Sequence, residues 1–445
     1  MGVWCLALVL AGLDGLDRAY PPPLAQMWPQ SVMVVDRDGG LLRAFATPAG
    51  RWRLPVRLAE VDADLLRMLI AYEDSRFHAH PGVDPLAMLR AAGQLAWNGR
   101  IVSGGSTLTM QVARLLEPRQ HRSFDAKIRQ AVRAVQLEWA LGKDEILGLY
   151  LTLAPYGGNL EGLRAASLAY FSKEPRRLTL GEAALLVALP QSPEYRRPDR
   201  YPEAAKRARD RVLDRIAGHG LFSDAEIAHA KDEKVPTARQ PMPLIAPHAA
   251  DQAHTGAPNE RELKLTIDAG LQKILESLAR DRAQALGPDM SVAMVVVDNA
   301  TGEVMARVAS PDYFDERRAG QVDLTQAVRS PGSALKPFIY GLGFEDGLIH
   351  PESLIEDRPI RYAGYQPENF DLTFQGTVTV RRALQLSLNV PAVAVLDEVG
   401  PSRLIARLAE AGAPLVLPRR EAPGLALGLG GVGVRLTDLT MLYAG

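Results

Sequence analysis

Glu73-Asp74-Ser75-Arg76-Phe77-His78-Ala79-His80-Pro81-Gly82-Val83-Asp84 is the stretch on which the reading of this chain turns. It crowds acids, an arginine and two imidazoles into a helix end and the loop after it. A carboxyl at a helix C-terminus faces the negative end of the helix dipole, which disfavours ionisation and favours work as a base. Taken alone, the same stretch also suits a solvated helix end with charge pairs.

Outward from it, the grammar is helical. From about 62 to 218 the apolar spacing is nearly unbroken. Asp84 and Pro85 read as N-cap and first helical position, with Gly99 closing that helix. Ile128, Val132, Val135 and Trp139 form the stripe of a helix over Phe124–Leu141, stopped by Gly142. Thr179 and Glu182 make a capping box before the run Ala183–Leu189, and Pro190 ends it. Toward the N-terminus, residues 31–56 read as short strands around the turn 36–40. Toward the C-terminus, residues 234–258 are rich in proline, alanine and polar residues and read as a linker. Beyond it, Ser291–Asp298 and Glu303–Ala309 are β-rich runs joined as a hairpin through Asn299–Gly302. Helical segments follow at about 333–345 and 379–399. The first domain is therefore mostly α and the second α+β, with no internal repeat.

Two further clusters flank the opening stretch. Gly104-Gly105-Ser106-Thr107-Leu108-Thr109-Met110-Gln111 precedes a helix start, where free N–H groups and hydroxyls suit an anion such as a phosphate; the plain alternative is a flexible loop with a Ser/Thr cap. Arg119, Arg122, Lys127, Arg129 and Arg133 place cations near the next helix. Lys127 and Gln130 share one face, about 5–6 Å apart. Such a strip suits an anionic leaving group, or simply a solvated basic face. In the second domain, Ser330-Pro331-Gly332-Ser333-Ala334-Leu335-Lys336 is an S-x-x-K pattern. If Ser333 opens a helix, Lys336 lies one turn on, and a neutral lysine there could take the serine proton. The pattern alone is common by chance. Ser387-Leu388-Asn389 follows about 50 residues later.

Composition bounds the rest. At roughly 150 residues per domain, 445 residues make about three units. With 47% apolar and 23% charged residues, a disordered chain, a collagen and a polytopic membrane protein are excluded. Lys plus Arg number 51 against 52 Asp plus Glu, a net charge of −1, so no whole-chain basic excess argues for nucleic acid. The single cysteine, Cys5, excludes an internal disulfide framework. Val3–Leu13 is an uncharged apolar run of about 11 residues. It spans roughly 16 Å, short of the ~30 Å hydrocarbon core. It reads as the outer part of a membrane anchor over 1–20, or as a buried core segment.

Together the motifs resemble the glycosyltransferase family 51 (peptidoglycan glycosyltransferase) domain over about 31–218. The E-D-x-x-F-x-x-H-x-G-x-D pattern at 73–84 and the G-G-S-T-L-T-M-Q run at 104–111 carry the likeness. So do Leu137-Glu138, Lys143–Leu147, Tyr150-Leu151, Glu182–Leu186 and Pro190-Gln191-Ser192-Pro193. The resemblance implies a lysozyme-like helical fold and a processive polymerase of lipid II. Glu73 is then the general base that takes the proton of the acceptor sugar 4-hydroxyl as it attacks the donor anomeric carbon, releasing undecaprenyl diphosphate. Ser106, Thr107, Gln111, Arg114, Lys127 and Arg133 become donor or diphosphate contacts, with Asp74, Phe77, His80 and Gln130 also on the substrate side. Where the family reads R-K-x-x-E, this chain has Ala126, Lys127 and Gln130, and Tyr-Leu-Asn becomes Tyr150-Leu151-Thr152. The family implies a divalent cation, Mg or Mn, for glycosyl transfer; a neutral Gln130 cannot hold one electrostatically, so no metal ligand is assigned. Met110 and Gln130 resemble the 1C type of class A penicillin-binding protein.

From about 263 onward, after a linker over 219–262, the chain resembles a serine β-lactamase/transpeptidase-like domain of α+β fold. The resemblance implies that Ser333 attacks a D-Ala-D-Ala carbonyl, with Lys336 as base, Ser387 as proton relay and Asn389 as orienting amide. It implies stem peptides, β-lactams, nascent glycan strands and the cytoplasmic membrane as partners, with catalytic domains in the periplasm. The third motif, K-[ST]-G, is absent, so the domain over 263–445 reads as truncated before it. This chain is then expected to label weakly with penicillin and not to complete transpeptidation. A non-catalytic wall-synthesis scaffold or β-lactam receptor is the second reading. A lysozyme-like hydrolase is the third, and would need a second carboxylate or equivalent for water.

Overall fold

The computed structural model describes residue 15 and residues 18–24, 28–98, 105–117, 124–362, 365–417 and 424–445. The run Val3–Leu13, with Gly99, Gly104, Arg119 and Arg122, lies outside the described residues. Among the described residues no helix is long and apolar enough to cross a membrane. The chain forms two compact units, Met1–Val34 with Arg43–Leu244 and Ala257–Leu263, and Val35–Leu42 with Ile245–Gly256 and Lys264–Gly445. The strands expected around the turn 36–40 are β1 (Val32–Val35) and β2 (Leu41–Phe45).

The first unit is helical: α1 (Ala63–Glu73), α2 (Pro85–Asn98), α3 (Leu108–Leu116), α4 (Phe124–Ala140) and α5 (Lys143–Leu153) are followed by α6 (Leu163–Phe171), α7 (Leu180–Ala188), α8 (Pro202–Ala217) and α9 (Asp224–Asp232). Caps set their starts. The Asp62 carboxylate accepts from the N–H groups of Asp64 and Leu65 to open α1, and Asp84 accepts from Leu86 and Ala87 to open α2. Thr179 and Glu182 form the expected reciprocal box on α7. Each such cap contributes about 1 kcal/mol. Nearly every residue of α7 is buried, since it packs against α1, α8 and α9. This fixes α1 and the turn after α7 around one core. The helical pattern is interrupted where β3 (Trp52–Arg53), β4 (Pro155–Gly157) and β5 (Leu160–Glu161) form a small sheet in the order β3-β5-β4. Pro155 and the positive φ of Gly157, +101°, are incompatible with continued helix.

Within the expected linker 219–262 the structure forms α9 and, after an irregular stretch, α10 (Pro247–Gly256), and the units divide at 244/245. After β6 (Glu262–Lys264), which crosses the division between the units at 263/264, the second unit continues with α11 (Ala269–Leu286) and an antiparallel hairpin of β7 (Met294–Val297) and β8 (Val304–Val308). Ser333 stands in a 3-10 turn, Gly332–Leu335, that runs into α12 (Lys336–Glu345). The pair β9 (Leu354–Asp357) and β10 (Gly376–Thr379) is antiparallel. The segment read as one helix over 379–399 is two: α13 (Val380–Gln385) and α14 (Asn389–Val399). Ser387 breaks it, at φ +53° in the left-handed region. Leu335, Ile339 and Tyr340 pack with Ala392, Val395 and Leu396 in the core of this unit.

Candidate functional site

Glu73 is the last residue of α1, and Asp74 caps it. Asp74 turns inward: its carboxylate accepts from Leu108 N–H at 2.9 Å, at the N-terminus of α3, and meets His80 Nε2 at 3.0 and 3.1 Å. A carboxylate only accepts, so Nε2 carries the proton. His80 Nδ1 is buried without a partner among the described residues. An anion at a helix N-terminus is favoured by the dipole. Phe77 is fully buried beneath this pair, and the Lys143 ammonium stands 4.5 Å from its ring centroid while donating to His80 O and to Glu138, both at 2.7 Å. The Thr107 hydroxyl donates to Gly82 O at 2.5 Å and accepts from Met110 N–H at 3.1 Å. Gly82 has φ +91°, and a Cβ there would lie 2.5 Å from Ala134 O. The loop after Glu73 is thereby clamped to both α3 and α4.

On this frame the Glu73 carboxylate is held at both oxygens. Gln111 Nε2 donates to Oε2 at 2.9 Å and Gln191 Nε2 donates to Oε1 at 2.7 Å. A carboxylate offers about four acceptor positions, so each oxygen keeps one for an incoming hydroxyl. Glu73 borders a cavity of about 500 Å³ whose wall includes Ser106, Thr107, Gln111 and four arginines, Arg76, Arg90, Arg114 and Arg215. A second cavity of about 650 Å³ is lined by Trp28, Arg51, Arg53 and Glu161, and Arg114 and Gln191 line both. Glu73 thus sits beside the residues that two cavities share. Burial pushes the Asp84 carboxyl up, yet the N–H groups of Ala87 and Leu86 and the charge of Arg76 outweigh it and leave it below its ordinary value. The buried Tyr150 hydroxyl has no partner among the described residues; burial, with the Glu73 charge adding, drives its pKa well above the usual range.

In the second unit Lys336 is 1% exposed. Its Nζ donates to Ser387 O at 2.5 Å and to Asn389 Oδ1 at 2.6 Å, and lies 3.2 Å from Ser387 Oγ. Burial lowers this amine to about 8. The left-handed backbone of Ser387 turns both its carbonyl and hydroxyl toward Nζ. Asn389 is fixed in turn: its N–H donates to Asn369 Oδ1 at 2.8 Å and its Nδ2 to Glu368 O at 2.7 Å. The Asn369 amide is anchored on the fully buried Asp357 carboxylate at 2.8 and 3.0 Å. Ser333 is exposed one 3-10 turn before Lys336. The structure therefore gathers Lys336 with the Ser387/Asn389 pair, directly after the 3-10 turn that carries Ser333.

A family model described as "Transglycosylase" matches residues 38–217, and one described as "Penicillin binding protein transpeptidase domain" matches 292–413. Penicillin-binding protein 1C of Escherichia coli (strain K12) is 47% identical over 429 residues, covering 96% of this chain and 55% of that protein. The chain belongs to the class A penicillin-binding proteins. Within the family, penicillin-binding protein 1F of Bacillus subtilis (strain 168) is 30% identical over 93% of this chain and 59% of its own length. Penicillin-binding protein 1A of Aquifex aeolicus (strain VF5) is 28% identical over 95% of this chain and 70% of its own. The chain thus spans little more than half of the first two relatives.

In this penicillin-binding protein the residues expected at the first site divide. Ser106, Thr107, Gln111, Arg114 and Asp74 line the cavity at Glu73. Phe77 and His80 are buried in the frame behind it. Lys127, Gln130 and Arg133 are on α4 and line neither large cavity; Lys127 is exposed, and Arg133 pairs with Glu117 at 2.6 Å. The cations at Glu73 are instead Arg76, Arg90 and Arg215 with Arg114. Gln191 belongs to a motif visible in the sequence, but nothing local tells that it meets a carboxylate 118 residues away. The donor set does not fit a protein-held divalent cation. Asp74 is spent on Leu108 and His80, Asp84 caps α2, and among the described residues no three His, Cys, Asp or Glu side chains converge.

Proposed function

We propose that this chain polymerises lipid II into glycan strands, with Glu73 as general base, and that Ser333 is the acylation centre of a penicillin-sensitive D-Ala-D-Ala transpeptidase. The observation that carries the first part is the Glu73 carboxylate, held by two amide donors, beside the residues that two cavities share. The arginine-lined cavity suits the diphosphate of the donor, and the second cavity suits the incoming saccharide. Glu73 takes the proton of the acceptor 4-hydroxyl while that oxygen bonds to the donor anomeric carbon. The bond from that carbon to the diphosphate oxygen breaks, and the departing charge is met by Arg76, Arg90, Arg114 and Arg215. Gln111 and Gln191 keep the carboxylate aimed, and each carboxylate oxygen retains a free acceptor position for the proton.

At the second site, neutral Lys336 takes the Ser333 proton as Oγ bonds to the peptide carbonyl carbon, the C–N bond to the terminal D-Ala breaks and its nitrogen leaves with the proton returned by Lys336, while Ser387 and Asn389 hold the amine in reach. Stem peptides and β-lactams are the ligands of that site. Val3–Leu13 serves as a membrane anchor, with both domains on the periplasmic face of the cytoplasmic membrane.

The deciding experiment is polymerisation of lipid II by the full chain in detergent, analysed by product length. Wild-type protein makes glycan strands and Glu73→Gln lowers the rate at least about 100-fold, the usual range for a lost general base. Undiminished strand synthesis in that variant removes Glu73 from the mechanism. Absence of strands with the wild-type chain favours the scaffold reading, and shortened strands from pre-formed glycan favour the hydrolase.

A further inference from the structure

Arg196 does not line the arginine-lined cavity, yet it governs what Glu73 meets. Its Nη1 donates to Ala188 O, the last carbonyl of α7, at 2.6 Å and to Gln191 Oε1 at 3.1 Å. A cation folded over a helix C-terminus is favoured by the dipole, so this half-buried side chain is anchored independently of Glu73. A guanidinium has donors and no acceptor. The Gln191 amide must therefore turn its oxygen to Arg196 and its NH₂ to Glu73, where Nε2 donates to Oε1 at 2.7 Å. The flipped amide would put N–H against N–H at one end and a carbonyl oxygen against the carboxylate at the other. Both bonds would be lost and both contacts would repel. Gln111, which holds the other carboxylate oxygen, has no such cation behind it among the described contacts.

We infer that Arg196 is a positioning residue for glycan polymerisation: it fixes the orientation of the Gln191 amide and so aims the Glu73 carboxylate at the acceptor hydroxyl. The inference rests on the proposed role of Glu73. Its consequence is geometric. Without Arg196 the exposed Gln191 side chain is held only by Glu73 and swings away from it for part of the time, so the base loses one of its two fixed donors; small misplacements of a reacting group cost tenfold or more in rate.

The test uses Arg196→Met, which keeps the apolar stem, and Arg196→Lys, which keeps a donor. Arg196→Met should lower kcat for lipid II polymerisation roughly tenfold with KM within about twofold, and Arg196→Lys should recover most of kcat. An unchanged kcat in Arg196→Met, or a loss that Arg196→Lys does not recover, overturns the inference. A second readout needs no turnover. In full-length protein labelled with ¹⁵N-glutamine, the Gln191 side-chain NH₂ resonances shift when Glu73 is replaced by Ala. That response should shrink several-fold in the Arg196→Met background, and an undiminished response there also overturns the inference. Should the wild-type chain make no glycan, the proposed function fails while the NMR result still decides the role of Arg196.

Discussion

Replacing Asp74 separates the frame of the first site from its chemistry. Asp74 is 8% exposed, and its carboxylate holds two elements that sequence places far apart, the loop at His80 and the first N–H of α3. Asp74→Ala strands the Leu108 N–H and the His80 Nε2–H in a buried site. Hydrogen bonds to a charged group contribute about 1.5–3 kcal/mol each, so the loss should be roughly 3–5 kcal/mol. Asp74→Asn tests the tautomer argument. The new amide can still accept from Leu108 through its oxygen, but its NH₂ then faces His80 Nε2. Because Nδ1 has no partner among the described residues, the His80 proton can move there and Nε2 can accept. One bond is then reversed rather than lost, and the cost should fall to about 1–2 kcal/mol. Urea unfolding followed by tryptophan fluorescence reads both values. Equal destabilisation by the two variants, or less than about 1 kcal/mol for Asp74→Ala, would refute the assignment of Asp74 as the tie between loop and helix.

Other expectations follow from the same geometry. Gly82→Ala places a Cβ 2.5 Å from Ala134 O at φ +91° and should cost about 2 kcal/mol or more, lowering Tm by several degrees in a calorimeter; an unchanged Tm would contradict the clamp. Lys336 has its amine lowered to about 8 by burial, so the neutral base is the minority form below that pH. The rate of Ser333 acylation by a fluorescent penicillin, however slow, should rise about tenfold per pH unit below 8 and level off above it; a flat rate from pH 6.5 to 9 would exclude Lys336 as the base. Replacing Arg215 by Met removes one cation from the cavity wall and should raise KM for lipid II several-fold, whereas replacing Lys127, exposed on α4, should change it less. The reverse order would return the diphosphate to the α4 strip.

By itself the sequence determined what is local. Caps at Asp84, Thr107 and Thr179, the turn at 36–40, the hairpin at 299–302 and the S-x-x-K spacing each depend on residues within a few positions of one another. Glu73 as the candidate base and Ser333 with Lys336 as the candidate serine centre came from local patterns that only a family resemblance set apart from chance. Tertiary structure alone decided which distant groups reach them. Periodicity marks a face of a helix but not what that face meets, so the cations on α4 read as candidates, while Arg90 and Arg215, which line the cavity at Glu73 from α2 and α8, were not singled out. The identity of Gln191 was written in the chain, but its orientation depends on Arg196 and a helix end. The break at Ser387 was hidden because a left-handed serine carries no compositional mark; only packing against Lys336 makes that backbone worth its strain.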